Sequence, residues 1–218
     1  MSESGTARAE ILRRIRTKLP PQTESAAASY ARVPREYTQC GSLDHEAMID
    51  LLIDRLVDYD SDVLRVPKGG DVSGAVAGLL AKKGETRLIV PPQVDPAWVP
   101  AGLDLLPDTP PLKTDAIEGA QAVLTPCEVA VASTGTIILK HGPVQGRRVL
   151  TLLPDHHICI VREDQVVESV PEAFARLTGT GDAPLTTISG PSATADIEMT
   201  RIRGVHGPRR LSVILIGL

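Results

Sequence analysis

The strongest constraint on this chain is an alternation of apolar patterns between residues 42 and 92. Ser42 to Tyr59 places Met48, Leu51, Leu52 and Leu56 on one helical face. Asp62 to Val66 is a strand-length run, Asp71 to Lys83 a second helix ended by Gly84, and Arg87 to Val90 a buried strand closed by Pro91 and Pro92. Strand, helix and strand in that order build a parallel sheet, because parallel neighbours need a long crossover, usually a helix lying on a sheet face. The expected class is α/β, with a mostly parallel sheet flanked by helices.

From Ala120 the texture changes. Gln121 to Leu124, Val129 to Ala132, Thr136 to Lys140, Val149 to Leu153 and Ile158 to Val161 are short apolar runs with no helix-length segment between them. Part of this region is therefore expected as antiparallel hairpin. Pro171 to Leu177 reads as a short helix, Thr186 to Ser189 as a strand, Thr194 to Ile202 as a helix and Leu211 to Ile216 as a final buried strand. Residues 41–218 thus form one α/β domain. Residues 1–40 read as an N-terminal helix and an extended arm. Ile11, Leu12, Ile15 and Leu19 line one face of Ala7 to Leu19, Pro20 and Pro21 end it, and Gln22 to Cys40 is rich in Ser, Ala and Pro. That apolar stripe needs cover, from its own domain or from a partner or second subunit.

Hydrophobic residues make up 42% and charged residues 23% of the 218, enough for a packed core. Aromatics are only 2%, so platforms for stacking bases or flavin rings are scarce. A net charge of −4 argues against a general nucleic-acid surface. Cys40, Cys127 and Cys159 are odd in number and widely spaced. That pattern argues against a disulfide framework, a zinc ribbon or an iron–sulfur cluster on this chain. No stretch resembles a signal peptide and the apolar runs are strand-length, so a cytoplasmic location without a membrane span is expected.

Three glycine-bearing segments carry the candidate chemistry. In the first, Gly135 suits a backbone of positive φ, and Ser133, Thr134 and Thr136 offer hydroxyls to a carboxylate or phosphate. The plain alternative is a tight turn. In the second, a strand runs into Gly190 and Pro191, and Ser192 or Thr194 is placed to cap a following helix. Free amides at such an end favour an anion, and the carboxyl ends of sheet strands are where α/β proteins bind ligands. Asp196 and Glu198 then read either as first-turn acids or as catalytic carboxylates. In the third, His206 is an acid, a base or an anion contact, or else a loop histidine capping a helix. Gly207 and Arg209 follow it. His156 and His157 would point to opposite faces of a strand, so no metal site is expected there. P-loop, nucleophile-elbow and zincin motifs do not occur.

Taken together, Ser133 to Ile137, Leu152 to His157, Ser189 to Glu198 and Gly204 to Pro208 resemble the lactate utilization protein C family. The resemblance implies a fold like those of glucosamine-6-phosphate deaminase, ribose-5-phosphate isomerase and the CoA transferases. It also implies a part in oxidising L-lactate to pyruvate beside iron–sulfur partner proteins, with no cofactor on this chain. Two departures stand out: relatives are expected to carry an acidic or similar polar residue at Ser133, and Lys or Arg at Ala193. Three functions follow as expectations. The first is a non-redox subunit that binds a small anion. The second is a free-standing enzyme or binder of a phosphorylated or CoA-linked metabolite, with Glu198 or Asp196 as base and His206 as acid. The third is a metabolite-sensing module that signals through the N-terminal helix.

Overall fold

Two units meet in sequence at Tyr37 and Thr38 in the computed structural model, which describes residues 3–19, 23–179, 181–195, 201–203 and 207–218. The first unit holds helix α1 (Glu3–Lys18) and a short helix α2 (Ala26–Ala31), whose N-cap Ser25 accepts a hydrogen bond from the Ala28 amide. The expected extended arm therefore contains one helical segment.

The second unit begins with α3 (His45–Asp58), β1 (Asp62–Val66), α4 (Val72–Ala81), β2 (Arg87–Val90), β3 (Asp104–Pro107), α5 (Thr114–Glu118) and β4 (Ala122–Pro126). It continues with β5 (Val129–Val131), β6 (Thr136–Lys140), β7 (His156–Arg162), β8 (Val166–Val167), α6 (Val170–Leu177) and β9 (Leu185–Ile188). It closes with β10 (Ala193–Ala195), β11 (Arg201–Arg203) and β12 (Arg210–Ile216). Six of these strands form one sheet in the order β1-β12-β7-β4-β2-β3, parallel throughout. A second sheet, β8-β5-β6-β9, is mixed, with β6 antiparallel to both neighbours.

The pleat of β7 shows how the core is divided. Cys159 and Val161 point to one face, where Ile49, Leu52 and Leu56 of α3 and Ile137 and Leu139 of β6 pack. Ile158 and Ile160 point to the other, against Val76, Leu79 and Leu80 of α4. Burial on both faces explains why β7 and β12 are continuous apolar runs rather than alternating ones.

Two expectations are corrected. Thr194 to Ile202 is not a helix where the structure describes it. Ala193–Ala195 and Arg201–Arg203 are paired antiparallel, with Thr194 opposite Ile202. Two β-branched residues suit an extended pair, and here that pairing outweighs the helical reading of the segment. Val149 to Leu153 is not a strand either, and Arg148–Thr151 is a 3-10 turn. β7 already has β4 on one edge and β12 on the other, so this segment cannot pair with the strand that follows it. Ile158 to Val161 lies in the parallel sheet, not in a hairpin. The chain passes from β4 to β7 through the β5–β6 hairpin, which is the antiparallel part expected of this region. Strand β3 and helix α5 went unread.

A buried polar cluster ties the opening of the sheet together. The Glu85 carboxylate, at 4% exposure, pairs with Arg210 and meets His156 Nδ1 at 2.6 Å. His156 Nε2 lies 2.8 Å from Ser212 Oγ. One carboxylate thus joins the turn after α4 to the first residues of β7 and β12. Removing one partner of a buried pair strands the others. Glu85→Ala is expected to cost about 3 kcal/mol in urea unfolding at neutral pH. Stability within error of the unchanged chain would contradict that role.

Candidate functional site

Helix α3 supports two of the three glycine loops. Gly135, at φ 57°, lies so close to Arg55 that an added Cβ would sit 2.8 Å from the Arg55 Cβ. Gly190, at φ 78°, is packed the same way on Tyr59, at 2.6 Å. A side chain at either position would face both an unfavourable backbone and a clash. The loops also bond to each other. The Thr136 and Ser189 hydroxyls lie 2.8 Å apart, and Thr134 and Thr136 share a second hydrogen bond of the same length. A flank of the third loop joins them, since the Ser192 amide donates to the Pro208 carbonyl at 2.8 Å.

Behind this junction lies a cleft of about 250 Å³. Its floor is His157 of β7 and Leu211 of β12. Its walls are Thr186 and Thr187 of β9, the turn Ser189–Ser192 with Ala193, and Gly207 and Pro208. Arg148 and Thr151 of the 3-10 turn close the remaining side. Gly190, Ser192 and Gly207 are thus lining residues among those expected from the sequence. Ser133, Thr134, Gly135 and Thr136 are not: they stand behind Ser189, and the Ser133 amide donates to the Glu168 carbonyl at 3.0 Å. Arg209 is exposed and turns to Asp155 at 3.6 Å. The backbone of Thr194 lies in β10. Asp196, Glu198 and His206 lie outside the described residues. No helix begins at Ser192, so the anticipated helix-end amides do not form the site.

The position of the cleft differs from expectation as well. His157 and Leu211 are each the second residue of a parallel strand, so the cleft opens at the amino edge of the large sheet. The carboxyl edge holds a larger crevice of about 520 Å³ beside Pro126 and Gln93, after β4 and β2. Its charges are mixed, however: Asp95, Glu128 and Asp164 face Arg162 and Arg176, and Arg162 is already paired with Asp164 at 3.0 Å. The amino-edge cleft has no carboxylate among its described lining residues.

Arg148 is the one cation among its described lining residues. The neighbouring Arg147 makes a bidentate pair with Asp108 at 2.7 and 2.8 Å, whereas Arg148 spends one nitrogen on the Thr151 carbonyl and hydroxyl. Among the described residues it has no acidic partner. Partial withdrawal from water lowers its pKa, yet a guanidinium stays charged in any ordinary buffer. His157 is 1% exposed, and burial first, then His156 and Arg148, pushes its pKa down to about 3. Its ring is neutral, with Nε2 lying 2.8 Å from the Thr125 hydroxyl. His141 braces the wall. Its Nδ1 must donate to the Gly146 carbonyl at 3.0 Å, leaving Nε2 to the Thr186 hydroxyl at 2.7 Å. Arg148, Thr151, Thr186 and Thr187 were missed in the sequence, and His157 was noticed only as half of a rejected metal pair. The readable signal was Arg147-Arg148 just upstream of a His-His pair that opens a buried run.

Among the described residues no group of three His, Cys, Asp or Glu is placed to hold a metal ion, and no helix is long and apolar enough to cross a membrane. Comparison with known proteins now adds the family. The LUD domain matches residues 113–216, from just before α5 to the end of β12. Lactate utilization protein C of Deinococcus radiodurans is 47% identical over 166 residues, covering 75% of this chain and 77% of that protein. This chain belongs to the lactate utilization protein C family. The protein of that name from Shouchella clausii is 36% identical over 104 residues, 45% of each chain. The crystal structure of a DUF162 family protein from Deinococcus radiodurans superposes with a TM-score of 0.69 at 40% identity, over 81% of this chain and 100% of that one. The α/β fold is therefore the family's, and the whole cleft falls inside the LUD domain match.

The depressed His157 pKa has a consequence for stability. The unfolded chain takes up a proton near pH 6.5 that the folded ring refuses until about pH 3. Stability from this group is full above pH 6.5 and falls as pH drops through that window. Urea unfolding between pH 7 and pH 4 is expected to show a shallower loss in His157→Gln. Parallel curves for the two proteins would contradict the assignment.

Proposed function

We propose that this chain serves lactate utilization as a subunit without a redox centre of its own, holding a small carboxylate in the amino-edge cleft. The observation that carries this reading is the electrostatic character of the cleft. Among the described residues Arg148 has no acidic partner, and the other polar groups lining the cleft are hydroxyls, backbone amides and one uncharged imidazole. A carboxylate would take charge-assisted hydrogen bonds from Arg148 and neutral ones from Ser189 or Ser192. Lactate and pyruvate are both small enough for a space of about 250 Å³. The names of the relatives supply the pathway. Electrons would pass through iron–sulfur partner proteins in the cytoplasm, with this subunit positioning the acid rather than oxidising it.

The test is calorimetric titration of the purified full chain with pyruvate and with L-lactate. Arg148→Gln is expected to weaken binding roughly 10- to 100-fold, the loss of one hydrogen-bonded charge, with folding unchanged by circular dichroism. Absence of binding to the native chain, or equal binding by the variant, would overturn the reading. Deletion of the gene in its host is expected to abolish growth on L-lactate while leaving growth on pyruvate.

A further inference from the structure

Resting on the reading of the cleft as a carboxylate site, we infer that His157 and Thr125 form a reversible reader of the atom beside that carboxylate. Through it the site takes both a small 2-hydroxy acid and the matching 2-oxo acid. A neutral imidazole has one donor and one acceptor nitrogen, and a hydroxyl has one donor and two acceptor positions. His157 Nε2 faces Thr125 Oγ1 at 2.8 Å, and both residues are buried. The same hydroxyl has a second place to send its hydrogen, the Cys159 sulfur at 4.0 Å. Burial pushes that thiol up to about 12, so the sulfur stays an uncharged, weak acceptor.

Two arrangements follow. In one, Thr125 donates to Nε2 and the ring carries its hydrogen on Nδ1. In the other, Nε2–H donates to Thr125, the hydroxyl hydrogen turns toward Cys159, and Nδ1 is a bare lone pair. Each keeps one hydrogen bond between ring and hydroxyl, so the two differ little in energy and a ligand can decide between them. Nδ1 itself has no hydrogen-bond partner among the described residues, and the ring lines the cleft. With Nδ1–H outward the site donates to a carbonyl oxygen. With the lone pair outward it accepts from a hydroxyl. Arg148 and His157 line the same cleft, so a carboxylate held by the arginine would bring its adjacent oxygen toward the imidazole. His141 and His156 lack this freedom. His141 is held by the acceptor-only carbonyl of Gly146, and His156 by the Glu85 carboxylate.

The experiment is nitrogen NMR of the full chain labelled with 15N-histidine at pH 7, with the His157 signals assigned by loss in His157→Gln. With L-lactate bound, Nδ1 is expected to show the shift of an unprotonated nitrogen and Nε2 that of a protonated one. With pyruvate bound the two are expected to exchange. Thr125→Val, checked for folding by its thermal midpoint, is expected to change the ratio of the two affinities roughly 3- to 10-fold, about one hydrogen bond. Thr125→Ser is expected to restore it. Binding through Arg148 with the same His157 tautomer in both complexes, or an unchanged affinity ratio in Thr125→Val, would overturn this inference and leave the carboxylate site standing. Failure of both acids to bind the native chain would overturn the two together.

Discussion

Strand β7 is hydrogen-bonded on both edges and buried on both faces, and the rest of the second unit is arranged around it. Its first two residues show the consequence. The pleat sends His156 into the Glu85–Ser212 cluster beneath one face and His157 into the cleft on the other. The same backbone register therefore sets both a polar anchor of the fold and the floor of the candidate site. A slip of one residue would turn each of these side chains to the opposite face of the sheet.

Burial also gives the cleft its chemistry. Two side chains that look alike in the sequence are separated by their partners: Arg147 is neutralised by Asp108, while Arg148, one residue on, is left to the cleft. Low solvent access keeps His157 uncharged, so it does not compete with Arg148 by repelling it, and the described lining residues carry a single positive charge. The carboxyl edge of the same sheet, where α/β proteins commonly bind ligands, is here occupied by internally paired charges such as Arg162 with Asp164 and Arg65 with Glu163.

The sequence foretold the first part of the fold well because its elements are local and periodic. α3, β1, α4 and β2 each show their own pattern, and Asp71 and Gly84 mark the limits of the second helix region. Prediction weakened where pairing partners lie far apart. Nothing local in Ile158 to Val161 reveals that β4 and β12 will flank it, and nothing in Thr194 reveals that Ile202 will lie opposite. The site was legible in part for the same reason. Gly190, Ser192 and Gly207 announce themselves as turn residues, and they do line the cleft. Arg148 and His157 reach it through a 3-10 turn and a strand whose neighbours only the assembled sheet determines. The family resemblance, carried by short motifs, was legible throughout the second half.

In the proposed function the amino-edge cleft, not the carboxyl-edge crevice, receives the acid. A crystal structure of this chain grown with pyruvate tests it most directly. The expected result is a carboxylate on the Arg148 guanidinium with the keto oxygen of the acid toward His157 Nδ1. Density for the acid beside Arg162 and Arg176, with the Arg148 cleft empty, would contradict it.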